Sequence, residues 1–329
     1  MMKQWLHPGF WITVVIVLGL GLAPIITQDA PTREVSFTIL LAITMAVSLN
    51  IIMGYTGYVS FGHVVFYGVG GYVGMYLLDS WDAPLPLAVL GGGATAALLA
   101  FLLGASILRL RGAYFALATI GINEAARTFV SNFEPFGGPT GIELQFSIYR
   151  SYGGAAQALW ITYYAVFGIT LVAIIFSYLI KTSKFGLGLM SIREDEDAAE
   201  VMGVVTPNAK TLAFVFSAIL PGMLGVLFFF KNGNVEPGDA FRLHSSIETL
   251  VMIMLGGQGT LLGPVLGALG YQRLRGLLLT SDVKLGDLPL KDFQLVISGV
   301  LLLIIILFIP AGLVGWLRRR FAPLRRVLA

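Results

Sequence analysis

The chain of 329 residues contains no cysteine. Disulfides, thiolate zinc sites and cysteine nucleophiles are therefore excluded. Charge is scarce too. Asp, Glu, Lys and Arg make up 12% of the residues, against about 25% in soluble domains. So few charges leave too little polar surface to cover a globule in water. Histidine occurs three times, at His7, His63 and His244, and no His-Glu-x-x-His zinc helix is present. No Gly-x-x-x-x-Gly-Lys-Ser/Thr phosphate loop occurs anywhere, so ATP hydrolysis by this chain is excluded. Leu255-Gly-Gly-Gln-Gly259 has part of an ATPase signature but lacks its serine and lies in an apolar stretch. The segment from Gly57 to Gly62 places Ser60 without the Gly-x-Ser-x-Gly spacing of a nucleophile elbow. No catalytic set is left, and an intramembrane enzyme has no support.

What the sequence does have is apolar length. Hydrophobic residues make up 57% of the chain, and the mean hydropathy is +0.84. A helix needs about 20 apolar residues to cross a bilayer. Runs of that kind cover 10–26, 35–53, 62–78, 84–108, 113–133, 157–180, 211–230 and 292–316. Lys3 before the first run fits a signal peptide, but the run is long and no small-residue cleavage pattern follows it, so it reads as a retained span. The class is all-α: a polytopic integral membrane helix bundle. About eight full spans are joined by a glycine-broken hairpin or re-entrant segment, making eight to ten crossings.

Basic residues in short loops set the orientation, because such loops stay cytoplasmic. Arg109 and Arg111 place one loop inside, and Lys181, Lys184 and Arg193 place another. Arg318, Arg319, Arg320, Arg325 and Arg326 hold the C-terminus inside, where they suit anionic lipid better than nucleic acid. The segment 134–156 then lies outside. Span 211–230 leaves the cytoplasm and 292–316 returns, so an even number of crossings lies between them. A hairpin over 245–279 satisfies that parity: 245–256 dips in, the glycines turn it, and 261–279 returns. It places Arg273 and Arg275 near the outer side, against the positive-inside trend.

Two glycine breaks resemble each other, Met53-Gly54-Tyr55-Thr56-Gly57 and Leu255-Gly256-Gly257-Gln258-Gly259. Paired breaks in two halves of a transporter mark a substrate route, because unwound backbone supplies polar groups at membrane depth. On that reading Gly54, Thr56, Gly57, Ser60, Gly256, Gly257, Gln258 and Gly259 line a pathway. Close helix packing through small residues is the alternative. Ionisable and polar residues also fall in apolar spans: His63, Asn123, Glu124, Arg127 and Glu248. Such groups face a cavity or pair with each other. Glu124 and Arg127, at i and i+3, form a candidate intramembrane pair, and a zwitterionic substrate would also accept both signs. His63 reads as a packing residue.

The segment 181–210 is different in kind: charged, yet with regular apolar spacing. Leu189, Ile192 and Glu196 share a helical face, Ala198, Ala199 and Met202 form a small smooth one, and Gly203 is a natural stop. Two short helices around a glycine turn make a compact docking element. A solvated loop is the plainer alternative, supported by the acidic run from Glu194 to Asp197.

Asp197-Ala198-Ala199-x-x-x-Gly203 is similar to the coupling loop of permeases that work with ATP-binding cassettes, with Asp197 in place of its usual Glu and no Ile-x-Leu-Pro continuation. Further blocks resemble the LivM-type permeases of branched-chain amino acid importers. They run from Gly54-Tyr-Thr-Gly57 through His63, then Leu108-Arg-Leu-Arg-Gly112, Gly137-Gly-Pro-Thr-Gly141, Ile192-Arg-Glu-Asp-Glu196 and Leu255-Gly-Gly-Gln-Gly259. The resemblance implies one transmembrane permease domain over 1–329, with a cytoplasmic coupling loop at 181–210. Arg193, Glu194, Asp195, Asp197, Ala198, Ala199 and Gly203 would meet the ATPase. It implies a homologous LivH-type permease partner, two cytoplasmic ATPase subunits that carry the ATP and Mg, and an extracytoplasmic substrate-binding protein. No cofactor is expected on this chain, and no nucleic acid. The implied place is a bacterial or archaeal plasma (inner) membrane, both termini cytoplasmic. A permease for urea or short amides, and a self-sufficient secondary transporter or channel, are the competing functions.

Overall fold

A computed structural model describes residues 8–280, 284–285, 288–289, 296–297, 299–300, 303, 307–308 and 311–320. About half of the expected span 292–316, together with His7, Arg325 and Arg326, lies outside the described residues. The long helices are α1 (Pro8–Thr27), α2 (Ala30–Thr56), α3 (Val64–Ser80), α4 (Leu85–Ile107) and α5 (Ala113–Ser131). A short α6 (Phe146–Arg150) precedes α7 (Ala155–Thr182), α8 (Lys184–Glu194), α9 (Glu196–Val201) and α10 (Thr206–Asn232). Then come α11 (Pro237–Ala240), α12 (Leu243–Gly256), α13 (Leu262–Thr280) and α14 (Gly312–Arg320). Among the described residues, α1, α2, α4, α7 and α10 are long and apolar enough to cross a membrane. Strand among the described residues is limited to two-residue pieces. β1 (Ile142–Glu143) pairs antiparallel with β2 (Asn234–Val235), and β3 (Lys284–Leu285) with β4 (Leu288–Pro289).

The helix α2 is the axis of the bundle, with 83% of its apolar window buried inside the chain, against 33% for α1 and α7. The peripheral helices send Trp11, Val15, Leu90, Leu98 and Phe101 outward, as a lipid-facing surface requires. Several polar side chains in the bundle satisfy each other or the backbone. Thr44 meets Thr170 at 2.8 Å, Tyr55 meets Ser177 at 2.8 Å, and the Tyr163 hydroxyl donates to the Gly21 carbonyl at 3.0 Å.

Small residues set the closest packing, among α3, α4 and α10. A Cβ on Gly70 would lie 2.5 Å from the Gly222 Cα, and one on Gly225 would enter the Tyr67 carbonyl. Helices without bulk at the contact bring backbones together, where dispersion rather than a hydrophobic effect holds them in lipid. Gly225→Val is therefore expected to lower the thermal unfolding midpoint in detergent, at an overpacking cost of about 1–3 kcal/mol. An unchanged midpoint would show that these helices are not in contact.

The hairpin over 245–279 is present as α12 and α13. Their contacts step apart evenly from the turn: Gly256 on Gly263, Gly267 on the Met252 carbonyl, and Tyr271 on Glu248 at 3.0 Å. Glycine is required at the tight end because a Cβ on Gly256 would overlap the Gly263 carbonyl. The connections fall at two ends of the bundle. One end gathers the linkers 57–63, 108–112, 183–205 and 257–261. The other gathers 28–29, 81–84, 132–154 and 233–242, tied by β1–β2 and by Lys231 on Glu34 at 2.6 Å.

Candidate functional site

At the first end, α8 and α9 form a bent lever. Ser183 caps α8, its hydroxyl accepting from the Gly186 amide at 3.1 Å. Asp195 breaks the chain and caps α9, its carboxylate accepting from the Ala198 amide at 3.0 Å. A side-chain acceptor at this position satisfies an amide that the helix itself leaves free. The segment thus restarts at Asp195, and Glu196 does not continue the face of Leu189 and Ile192. Those two are buried, as is Ala199. The smooth face expected from Ala198, Ala199 and Met202 is split: Ala199 packs inward, whereas Met202 is 84% exposed. Gly203 ends α9 at φ +90°, a conformation glycine adopts without steric cost.

A polar clamp fixes this lever. The Lys210 ammonium on α10 donates to Glu196 at 2.6 Å, to the Leu108 carbonyl at 2.8 Å and to the Tyr58 hydroxyl at 3.0 Å. The Tyr58 hydroxyl donates to the other Glu196 oxygen at 2.7 Å. Burial opposes ionisation of Glu196, but the hydrogen bonds from Lys210 and Tyr58 outweigh it and hold the carboxyl below its ordinary range. Arg111 forks onto Asp197 at 2.8 and 3.3 Å and lies 3.6 Å from Glu196. Its guanidinium likewise lowers the Asp197 carboxyl. Linkers after α2 and α4 and the root of α10 thus grip one short helix.

Arg193 does not point toward solvent with the other charges of the lever. Its guanidinium donates to the Gly54 carbonyl at 2.7 Å. That carbonyl belongs to the last turn of α2, where helical acceptors lack partners. The same guanidinium borders Gly259, where a Cβ would lie 2.5 Å from Nη1 and 2.9 Å from the Gly54 oxygen. The two glycine breaks therefore touch. Asn50 joins them: its side-chain oxygen accepts from the Gly259 amide at 2.9 Å, and its amide donates to the Thr260 carbonyl at 3.1 Å. Gly57 turns at φ +80° and Gly257 at φ +121°.

The remaining candidates lie apart from this junction or beside it. Thr56 is buried and its hydroxyl bonds the Ile52 carbonyl at 2.5 Å, while Gln258 is half-buried. Ser60 and His63 are buried in the linker, and among the described residues neither the Ser60 hydroxyl nor either His63 ring nitrogen has a hydrogen-bond partner. Glu124 and Arg127 meet at 3.4 Å on the outward face of α5, at 64% and 48% side-chain exposure. Asn123 turns the other way, donating to the Phe241 carbonyl at 2.9 Å. Glu248 is buried between α12 and α13, with Tyr271 at 3.0 Å, His244 at 3.2 Å and Arg275 at 3.4 Å.

Sequence reasoning missed Tyr58, Lys210 and Asn50 as parts of the site. Lys210 carried a usable signal: a cation at the foot of an apolar span, 14 residues beyond Glu196.

The comparisons agree in kind. Residues 33–307 match the family described as the permease component of branched-chain amino acid transport systems. The chain is 29% identical to the high-affinity branched-chain amino acid permease LivM of Escherichia coli K12, covering 93% of this chain and 75% of the relative. It is 27% identical to a probable LivM of Methanocaldococcus jannaschii over 67% of this chain and 66% of the relative. A LivH permease of Salmonella typhimurium matches at 23% over 82% of this chain and 90% of the relative. The chain is a multi-pass membrane protein and belongs to the family of branched-chain amino acid transport system permease components.

Proposed function

We propose that this chain is one of two permease subunits of an ATP-driven importer for hydrophobic, branched-chain amino acids. A homologous LivH-type subunit completes the passage, a binding protein delivers the substrate outside, and two ATPase subunits with their ATP and Mg dock on the lever inside. The single observation that carries this reading is the lever itself: a clamped helix pair outside the spans with an apolar tip. Val201, Met202 and Val205 are 88%, 84% and 62% exposed on it. Apolar side chains facing water in a charged segment mark a partner site. The basic loops support a cytoplasmic position for this end, with 134–156 and 233–242 outside.

The junction supplies the transmission. Movement of the docked ATPases passes from α9 to α10 and to the linkers after α2 and α4, because Lys210, Tyr58 and Arg111 grip α9 from those elements. Arg193 carries that shift to Gly54 and Gly259, where both breaks are within its reach. Unwound backbone at these breaks lines the inner end of the passage. Binding specificity resides with the external protein, so carriage of a particular side chain, or of a short amide, is decided there.

Met202→Glu tests the docking face. A charge in an apolar interface costs binding through desolvation. The variant is expected to keep the unfolding midpoint of the wild type, because residue 202 touches little of its own chain, and to lose co-purification of the ATPase subunits. Normal co-purification and uptake would remove the docking assignment.

A further inference from the structure

A second feature lies at the opposite end and is not part of the junction. A cavity of about 810 Å³ opens between α2, α10, α12 and α13, within the roughly 300–1,000 Å³ of small-molecule sites. Its lining is mixed. Ile39, Ala42, Met45 and Met252 are apolar, while Glu236, Arg273 and the His244–Glu248–Arg275 cluster are polar.

Depth matters here. The 14 residues of α12 rise about 21 Å at 1.5 Å each, and the 27 of α2 about 40 Å. Because α12 ends beside Gly54, its charged first turns lie near mid-membrane. Charges at that depth are costly unless they serve a water-filled route or each other. Glu248 is served by its neighbours, but the cluster leaves valence over. Among the described residues, Nδ1 of His244 and Nε of Arg275 are buried without a hydrogen-bond partner. Arg273 and Glu236 line the same cavity and make no ion pair there among the described residues.

We infer that this cavity is an entry site for a zwitterionic amino acid with an apolar side chain, its carboxylate drawn to Arg273 and the free Nε donor of Arg275, its ammonium to Glu236 and the open Nδ1 acceptor of His244. The inference rests on the function proposed above and adds a place to it. The cavity faces the side from which substrate arrives, and its lining offers both charge signs beside apolar side chains, as such a molecule needs. It also gives a reason for arginines at a depth where the positive-inside trend does not expect them.

The absence of cysteine makes the test clean. Ser245→Cys and Thr38→Cys put one thiol on each of two walls, and Ser106→Cys on α4 lies outside the cavity. The assembled importer in lipid vesicles is treated with a membrane-impermeant thiol reagent. Labelling of both cavity thiols is expected, slowed about threefold by leucine at roughly twice its dissociation constant. Isovalerate and isoamylamine, each with one charge, should protect far less, and Ser106→Cys should show no protection. Equal labelling with and without leucine would overturn the site, as would cavity thiols that no aqueous reagent reaches. Protection that appears only on adding anionic lipid would assign the cavity to a headgroup instead. Leucine uptake by the same vesicles separates the two readings: uptake without protection removes the entry site alone, and no uptake removes the function beneath it.

Discussion

Arg193→Gln is expected to reduce ATP-driven uptake at least tenfold while the subunits still assemble and ATP is still hydrolysed. The charged hydrogen bond to Gly54, at 2.7 Å, is the link between the lever and both glycine breaks. Bonds of this kind contribute about 1.5–3 kcal/mol, and each 1.36 kcal/mol is about tenfold in rate or equilibrium. Glutamine keeps a donor but is too short to hold the same carbonyl from the same helix. The lever would then move without carrying α2 and the α12–α13 turn. The unfolding midpoint should fall less than in a variant of the Glu196 clamp, because that clamp stays intact. Uptake is measured in vesicles beside ATP turnover. Equal loss of both would make Arg193 a folding residue, and normal uptake would show that motion passes elsewhere.

Lys210→Met should have the largest effect on stability. Lys210 and Glu196 side chains are 4% and 13% exposed and lie 2.6 Å apart. Removing one partner of a buried pair costs about 3–5 kcal/mol because the other charge stays buried. The methionine variant should unfold at a markedly lower midpoint in detergent. Adding Glu196→Gln to it should recover part of the loss, since the orphaned carboxylate is gone. Such recovery is the sign of direct coupling between neighbours. If the two losses simply add, the pair does not anchor the lever.

The spans were legible in the sequence because lipid imposes one simple demand, a long apolar run. The expected run 84–108 is α4 (Leu85–Ile107), and 211–230 lies within α10 (Thr206–Asn232). The hairpin was legible for a different reason. Loop charges set its parity, and glycines at 256, 257 and 259 marked the turn. The junction was not legible. Asn50 reaches Gly259 and Thr260 across more than 200 residues, and Arg193 reaches Gly54 across 139. No local periodicity encodes such pairs. Arg193 was grouped with the ATPase-facing charges because it lies among them in the chain, yet its helix face turns it inward. Met202 was misplaced because one continuous helix was assumed through Asp195. The cap at Asp195 rotates everything after it, which buries Ala199 and exposes Met202.

The central claim is that this chain moves substrate only as a subunit driven by ATP. Labelled leucine uptake decides it, measured in vesicles holding this permease, its homologous partner, both ATPases and a leucine-loaded binding protein. The account predicts uptake that needs ATP and every subunit, and that falls at least tenfold in Arg193→Gln. Uptake by this chain alone, driven by an ion gradient without ATP, would contradict it.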